Sequence, residues 1–449
     1  MKFGTVIFII VCTTAANVKS YKFSKIDVVQ ENIQFIEFEK GDSPNVYIGG
    51  NHATGATIYK LNSKKKIIVK DEVQLKNIQK IFIYNNNAYI FDANSVVFNG
   101  GSIFFLGRGA LQIEKLFEFP LEKDQPYIYF YSQHGIYFNT ATGVAVLKIR
   151  DYEERGLTVP KSIENLEHFS ITGYHTIGVS DNEICLGGTF KGDPNPKVAI
   201  IQRGEQSKEL PSADVKNMSN PSLNLITAAG NDPFKNNALI AFSGPIARIF
   251  KVGTYDVFEQ DRQSYITKIK LEPIFGEYLQ YFSGFYSPGL RTYFFASNLF
   301  TGDCYLNYAD FSYGRSGTMT SYTFSSIPNV NFLGADYDCE HVTFTSDSNR
   351  NIFFTMKKKV FSLKRADTEI KEVIFPPDKP ECDVKSLLVD KDDRLWILAG
   401  DLFMVPKNEL EAQQITKYSF AVQSGIMKIH PKTKEIFIGS EHGLHVYSD

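Results

Sequence analysis

Apolar residues along this chain come in short runs of 4 to 6, bounded by Asn, Asp and Gly, and near the C-terminus the runs return at a fixed interval. Residues 339–364 and 382–407 write one pattern twice, 43 positions apart and without a gap. Cys339 matches Cys382, Asp347 matches Asp390, and Ile352-Phe353-Phe354 matches Leu395-Trp396-Ile397. Val360-Phe361-Ser362-Leu363 matches Phe403-Met404-Val405-Pro406. A third copy follows 41 residues on, with its runs at Met427-Lys428-Ile429, Ile436-Phe437-Ile438 and Leu444-His445-Val446-Tyr447. Few side chains are identical between copies; the alternation of apolar run and polar turn is what repeats. A unit of about 40 residues built as strand, turn, strand, turn, strand is the sequence signature of a β-propeller blade. The fold class expected is therefore all-β, and a propeller carries its function in loops and channel residues that the repeat itself does not name.

The same grammar extends toward the N-terminus. Asn45–Gly50 leads through a polar turn to Thr57–Leu61, and Ile81–Tyr84 passes through Asn85-Asn86-Asn87 to Ala88–Phe91. Tyr127–Tyr131, Glu183–Leu186, Ala238–Phe242 and Thr292–Phe295 continue the series. Helical periodicity is scarce, its best candidate being Lys407–Gln414, a short turn between strands. The strand pattern allows six to nine units. The final unit ends one strand short at Tyr447, and residues 21–29 are the natural donor of the missing strand, since such closure removes exposed sheet edges.

Composition narrows the setting. Lys2, an apolar run at Val6–Cys12 and small residues at Thr13–Ala16 read as a signal peptide, cleaved after Ala16 or Ser20. That run is too short to span a bilayer, and no later stretch reaches the roughly 20 apolar residues of a membrane helix. Residues 1–20 are thus expected to be removed and residues 21–449 to form one propeller domain in a secreted, extracellular protein. Without Lys2 and Lys19, 46 basic residues face 50 acidic ones, and no concentrated basic face suggests a nucleic-acid partner. Lys64-Lys65-Lys66 and Lys357-Lys358-Lys359 read as hairpin tips. Cys12 leaves with the signal, so Cys185, Cys304, Cys339 and Cys382 remain as two expected disulfides of open connectivity. Zinc is disfavoured because neither C-x-x-C nor H-x-x-x-H occurs. Asn217 heads the one N-glycosylation sequon, Asn217-Met218-Ser219.

Between residues 279 and 420, about a third of the chain, the order of features resembles the insect Yellow and major royal jelly protein family. The resemblance rests on Tyr281–Ser287 followed by Phe295–Leu299, on Phe332-Leu333-Gly334, on Asn351–Phe354, and above all on Val389–Leu398. In the last of these, Val-Asp and an acidic turn precede Leu395-Trp396-Ile397-Leu398. Phe375-Pro376-Pro377-Asp378 matches a family motif but lies about eight residues early, and Phe361-Ser362-Leu363 stands where the family has Cys-Trp. The resemblance implies six blades, which we take as the expectation, with seven or eight open. It implies a functional range of pigmentation, amine binding and nutritive secretion.

Enzyme signatures are missing. No Gly-x-Ser-x-Gly elbow, His-Glu-x-x-His, P-loop or dinucleotide loop occurs, so no catalytic residue and no cofactor is assigned. His442 and His445, three apart, point to opposite faces of a strand and do not suit one metal. Asp336, Asp338, Asp347, Asp390, Asp392 and Asp393 are the acidic residues to try for calcium, but their spacing does not fit an EF-hand loop. Asp347 and Asp390 occupy equivalent turns, where Asp bonds its own backbone. The functional expectation is a secreted propeller that binds a small aromatic or amine-bearing ligand at the channel mouth. The alternatives are a dopachrome-converting enzyme of the melanin pathway and a propeller that binds extracellular protein partners.

Overall fold

Among the described residues, apolar runs such as Ile352–Met356, Leu395–Ala399 and Ile436–Ser440 form strands buried on both faces. A computed structural model describes residues 22–26, 32–119 and 342–448 apart from short connecting segments, together with the strands between 129 and 326. The latter are described as backbone, with the side chains of Leu147, Tyr293 and Leu306. Among the described residues every regular element is a strand, and no helix is long and apolar enough to cross a membrane.

The described strands form nine four-stranded sheets. In chain order they cover residues 35–71, 78–119, 129–169, 171–210, 222–269, 279–326, 344–372, 386–414 and 425–448. In the first eight, four consecutive strands pair antiparallel with their chain neighbours. The ninth has three such strands, and its fourth is Lys22–Lys25, which lies within the expected donor segment. That strand pairs antiparallel with Gly443–Ser448, setting Phe23 opposite Tyr447 and Lys25 opposite His445. The sheet count differs from the six units that the family resemblance implied. Every described strand is used within its own four-stranded meander, so none is an insertion or outer hairpin of a larger unit.

Face alternation explains the repeat. Ile352, Phe354 and Met356 pack with Tyr293 and Leu306 of the sixth sheet, whereas Phe353 and Val360 pack with Leu395, Ile397 and Phe403 of the eighth. On the opposite face of that strand of the eighth sheet, Trp396 and Leu398 turn to Met427, Ile438 and Tyr447 of the ninth. Alternate residues thus serve opposite neighbours, and the run must be apolar throughout, as in any strand covered on both sides. The 43-residue interval preserves this division while leaving side-chain identity free, provided volumes match across the joint.

Turns follow their residues. Asn85 and Asn86, both at positive φ (46° and 63°), make the two-residue hairpin that sets Tyr84 opposite Asn87. Lys65 and Lys358 sit at φ 61° and 64° in the Lys-rich tips. Residues 407–414 form the connection to Gln413–Gln414, which pairs with Met404 and Phe403.

The ninth sheet packs on the first. Ile33, Ile36, Ile48 and Tyr59 share a buried cluster with Phe437, Leu444 and Val446. The chain at 32–33 runs between the two sheets, with Ile33 N–H donating to Ser440 O at 2.9 Å. Space there admits only glycine on either side: a Cβ on Gly50 would lie 1.7 Å from Asn32 O, and one on Gly439 would lie 2.5 Å from Ile33 Cγ2.

Candidate functional site

In a four-stranded meander the connections 1–2 and 3–4 lie at one end of the sheet, and the polar residues of these units gather there. The residue after the innermost strand is Glu39 in the first sheet, Asp347 in the seventh, Asp390 in the eighth and His430 in the ninth, all buried. Each closes its turn by donating its N–H to the carbonyl just before the next strand: Glu39 to Asn45, Asp347 to Asn351, Asp390 to Arg394 and His430 to Glu435. The side chain then accepts from the same turn. Asp347 takes Asn351 N–H at 2.8 Å and its amide at 2.7 Å. Asp390 takes the N–H groups of Asp392 and Arg394 at 2.9 and 3.0 Å, Arg394 Nε at 2.6 Å and Trp396 Nε1 at 2.8 Å. Asp347 and Asp390 therefore act as turn acceptors, the role their spacing suggested. Among the described residues no group of three His, Cys, Asp or Glu could hold a metal ion.

A second carboxylate in the eighth sheet reaches its neighbour. Asp393, at φ 61°, accepts Ser348 N–H at 2.8 Å, Ser348 Oγ at 2.6 Å and Lys407 Nζ at 2.8 Å. The bonds from Lys407 and then Ser348 hold its pKa down at about 2. This link pins the turns of the seventh and eighth sheets together and forms one wall of a small cleft of about 70 Å³, open to solvent. Phe353, Leu395, Val405 and Leu410 line its apolar part. Glu409, Lys364 and Lys371 stand around it and are exposed. The next joint also has a cleft, of about 130 Å³, between the eighth and ninth sheets, lined by Asp390, Arg394, Lys434, Glu435 and Tyr447.

The joint of the first and second sheets is closed instead. Glu39 Oε1 accepts Tyr47 Oη and Asn45 Nδ2, both at 2.8 Å. Lys60 is fully buried and donates to Gly107 O at 3.2 Å and to Arg108 O. Burial pushes the Lys60 ammonium below its ordinary pKa. Burial, and then the hydrogen bond to Glu39, push the Tyr47 phenol up. These perturbed groups have protein partners on all sides, so they fasten two sheets and offer a ligand no access.

Other sequence candidates fall elsewhere. Trp396 is wholly buried, its ring 4.6 Å from that of Tyr447, and is a packing residue. Cys185 and Cys304 lie in strands Glu183–Phe190 and Cys304–Tyr313, described as backbone. Cys339, Cys382, Asn217 and residues 1–20 lie outside the described residues, as do Asp336 and Asp338. The Asp393 link and the His430 turn were not legible beforehand. The alignment at 43 residues pairs Asp390 with Asp347 but gives Asp393 the plain partner Arg350, so no repeat flagged it.

No protein-family model matches the chain, and no curated protein does. Solved structures do match at low identity. A prolyl endopeptidase is 8% identical with a TM-score of 0.46, over 92% of this chain and 53% of that one, so the chain spans about half its length. The N-terminal domain of Nup159 is 9% identical with a TM-score of 0.37, over 93% of this chain and 89% of that one. YCF48 from Cyanidioschyzon merolae is 10% identical with a TM-score of 0.36, over 78% and 97%.

Proposed function

We propose that the nine sheets are the blades of a secreted β-propeller, closed by strand Lys22–Lys25, which binds a small aromatic or amine-bearing ligand in the clefts between its blades. The observation that carries the binding is the cleft between the seventh and eighth sheets. The cleft is open to solvent, and its lining joins Phe353 and Leu395 to a few charged groups. The carboxylate available to an amine is that of Glu409, because Asp347 and Asp393 are engaged by Asn351, Ser348 and Lys407. On this reading the ligand sits between blades, at the end where the turns gather.

Ring closure is supported by the packing of the ninth sheet on the first and by the pairing of Lys22–Lys25 with the last strand. Such closure completes the ninth sheet and leaves only short edges. Secretion rests on residues 1–20, and in that compartment Cys185, Cys304, Cys339 and Cys382 form two disulfides and Asn217 carries a glycan. The resemblance to the Yellow and royal jelly family favours the same class of ligand.

The test is calorimetry on the secreted protein with a panel of biogenic amines and tryptophan-derived pigments. Binding of at least one is expected, weakened about tenfold in Glu409→Gln by loss of one charge contact. No heat from any member overturns the reading. Binding that Glu409→Gln and Phe353→Ala both leave unchanged moves the site elsewhere.

A further inference from the structure

We propose that the ninth sheet is an acid-releasable latch: lowering the pH frees the N-terminal strand Lys22–Lys25 and opens the contact between the ninth and first sheets. Four sheets share one buried turn position. Glu39, Asp347 and Asp390 are carboxylates there and accept N–H groups while ionised. The ninth sheet has His430 instead, whose Nδ1 accepts from Thr433 N–H at 3.0 Å and Lys432 N–H at 3.3 Å. A protonated imidazole has no acceptor nitrogen, so gaining a proton turns both bonds into donor against donor.

The ring is also a contact between sheets. It meets Phe38 of the first sheet edge-on at 5.2 Å and stacks on Phe437 at 5.8 Å, with 4% of the residue exposed. The charges that face it are Lys65 of the first sheet and Lys434, which oppose protonation, and Glu435, which favours it. Glu435 is engaged by Lys65 at 2.5 Å. Burial is the largest influence and lowers the His430 pKa.

A second histidine stands at the other joint of the same sheet. His445 is buried in Gly443–Ser448, opposite Lys25 of the N-terminal strand. Burial first, then the charges of Lys25 and His442, hold its pKa at about 4. Of the histidines whose side chains are described, these two are buried, while His52 and His442 are exposed.

Both folded pKa values lie below the roughly 6.5 of a free imidazole, so the opened chain binds more protons than the closed one. Stability of the latch is complete above about pH 6.5 and falls as the pH drops toward 4. The experiment is hydrogen exchange of the intact protein from pH 7.5 to 4.5, corrected for intrinsic rates. Protection at 22–26 and 32–33 is expected to fall by about tenfold or more between pH 7 and 5, while that of 352–363 and 395–405 holds. The double variant His430→Asn, His445→Gln, folded at pH 7.5, is expected to flatten that dependence. His430→Asp, which restores the residue type of the seventh and eighth sheets, serves if the first variant folds poorly. Protection unchanged to pH 5, equal loss in both regions, or an undiminished slope in the variants overturns the proposal.

Discussion

The joint between the seventh and eighth sheets and the seam between the ninth and first share a geometry and differ in chemistry. The former joins units adjacent in the chain and is tied by Asp393 to Ser348 and by main-chain bonds between Ile374, Leu410 and Ala412. The seam joins residues almost 400 positions apart, through Lys428 with Glu37 at 2.6 Å and Lys65 with Glu435 at 2.5 Å. Both turn residues of the former are carboxylates, Asp347 and Asp390, whereas the seam sets the Glu39 carboxylate of the first sheet beside the His430 imidazole of the ninth. In the first, seventh, eighth and ninth sheets the residue after the innermost strand is a buried acceptor, a carboxylate in three of them and an imidazole in the fourth. The seam that brings the chain ends together thus contains an acceptor that protonation abolishes.

The largest expected effects come from the buried aromatic ring on each side. Phe403 is fully buried and meets Phe375 edge-on at 5.1 Å; Phe437 is 1% exposed and meets Phe38 at 5.3 Å. Truncating either to Ala removes similar apolar area and leaves a cavity, costing about 3–5 kcal/mol. Denaturant unfolding should show comparable losses, with one distinction. Phe437→Ala should also raise exchange at residues 22–26 below the global transition, because the seam can part without unfolding the neighbouring units. Should Phe403→Ala release the N-terminal strand to the same extent, the two joints are energetically one.

Much of this architecture was legible in the sequence. The expected strands at 57–61, 183–186 and 292–295 fall within observed strands, and that at 45–50 does so except for Asn45. The count of units was less legible. Nothing in a run such as Ala238–Phe242 says whether its sheet stands alone or joins a larger one, and the resemblance pulled the number to six. Asp347 and Asp390 could be read as turn residues from their equivalence. His430 could not, since an imidazole matches a carboxylate only once the hydrogen bonds to its Nδ1 are seen. Asp393 was found among the acids but not its partner Ser348, 45 residues away on another sheet.

Removing the Asp393 carboxylate should have the next largest effect. Asp393→Ala strands Ser348 and Lys407 and is expected to cost about 2 kcal/mol, in the range of hydrogen bonds to charged groups. Its pH signature separates the two joints. With a folded pKa of about 2 against roughly 3.9 unfolded, Asp393 contributes fully above about pH 4 and less as the pH falls toward 2. The histidines of the seam act in the window above, between about 6.5 and 4. Stability curves of wild type and Asp393→Ala should therefore run parallel from pH 7 to 5 and converge only below 4. Convergence at pH 6 would place the Asp393 link in the same titration as the seam.

The smallest effect is expected from the ion pairs that mark the seam most visibly. Lys65 and Glu435 keep 26% and 18% of their side chains exposed, and Lys428 and Glu37 keep 35% and 33%. Partly solvated pairs of this kind contribute about 0.2–1 kcal/mol and are screened by salt. A double-mutant cycle with Lys65→Met and Glu435→Gln should give a coupling in that range that shrinks as salt rises. A coupling above about 2 kcal/mol, or one insensitive to salt, would mean that charge holds the seam. The small value is expected because Ile33, Phe437 and Leu444 are already buried between sheets that Gly50 and Gly439 allow to approach closely. The ion pairs then choose the register in which the chain ends meet, and apolar contact supplies the hold.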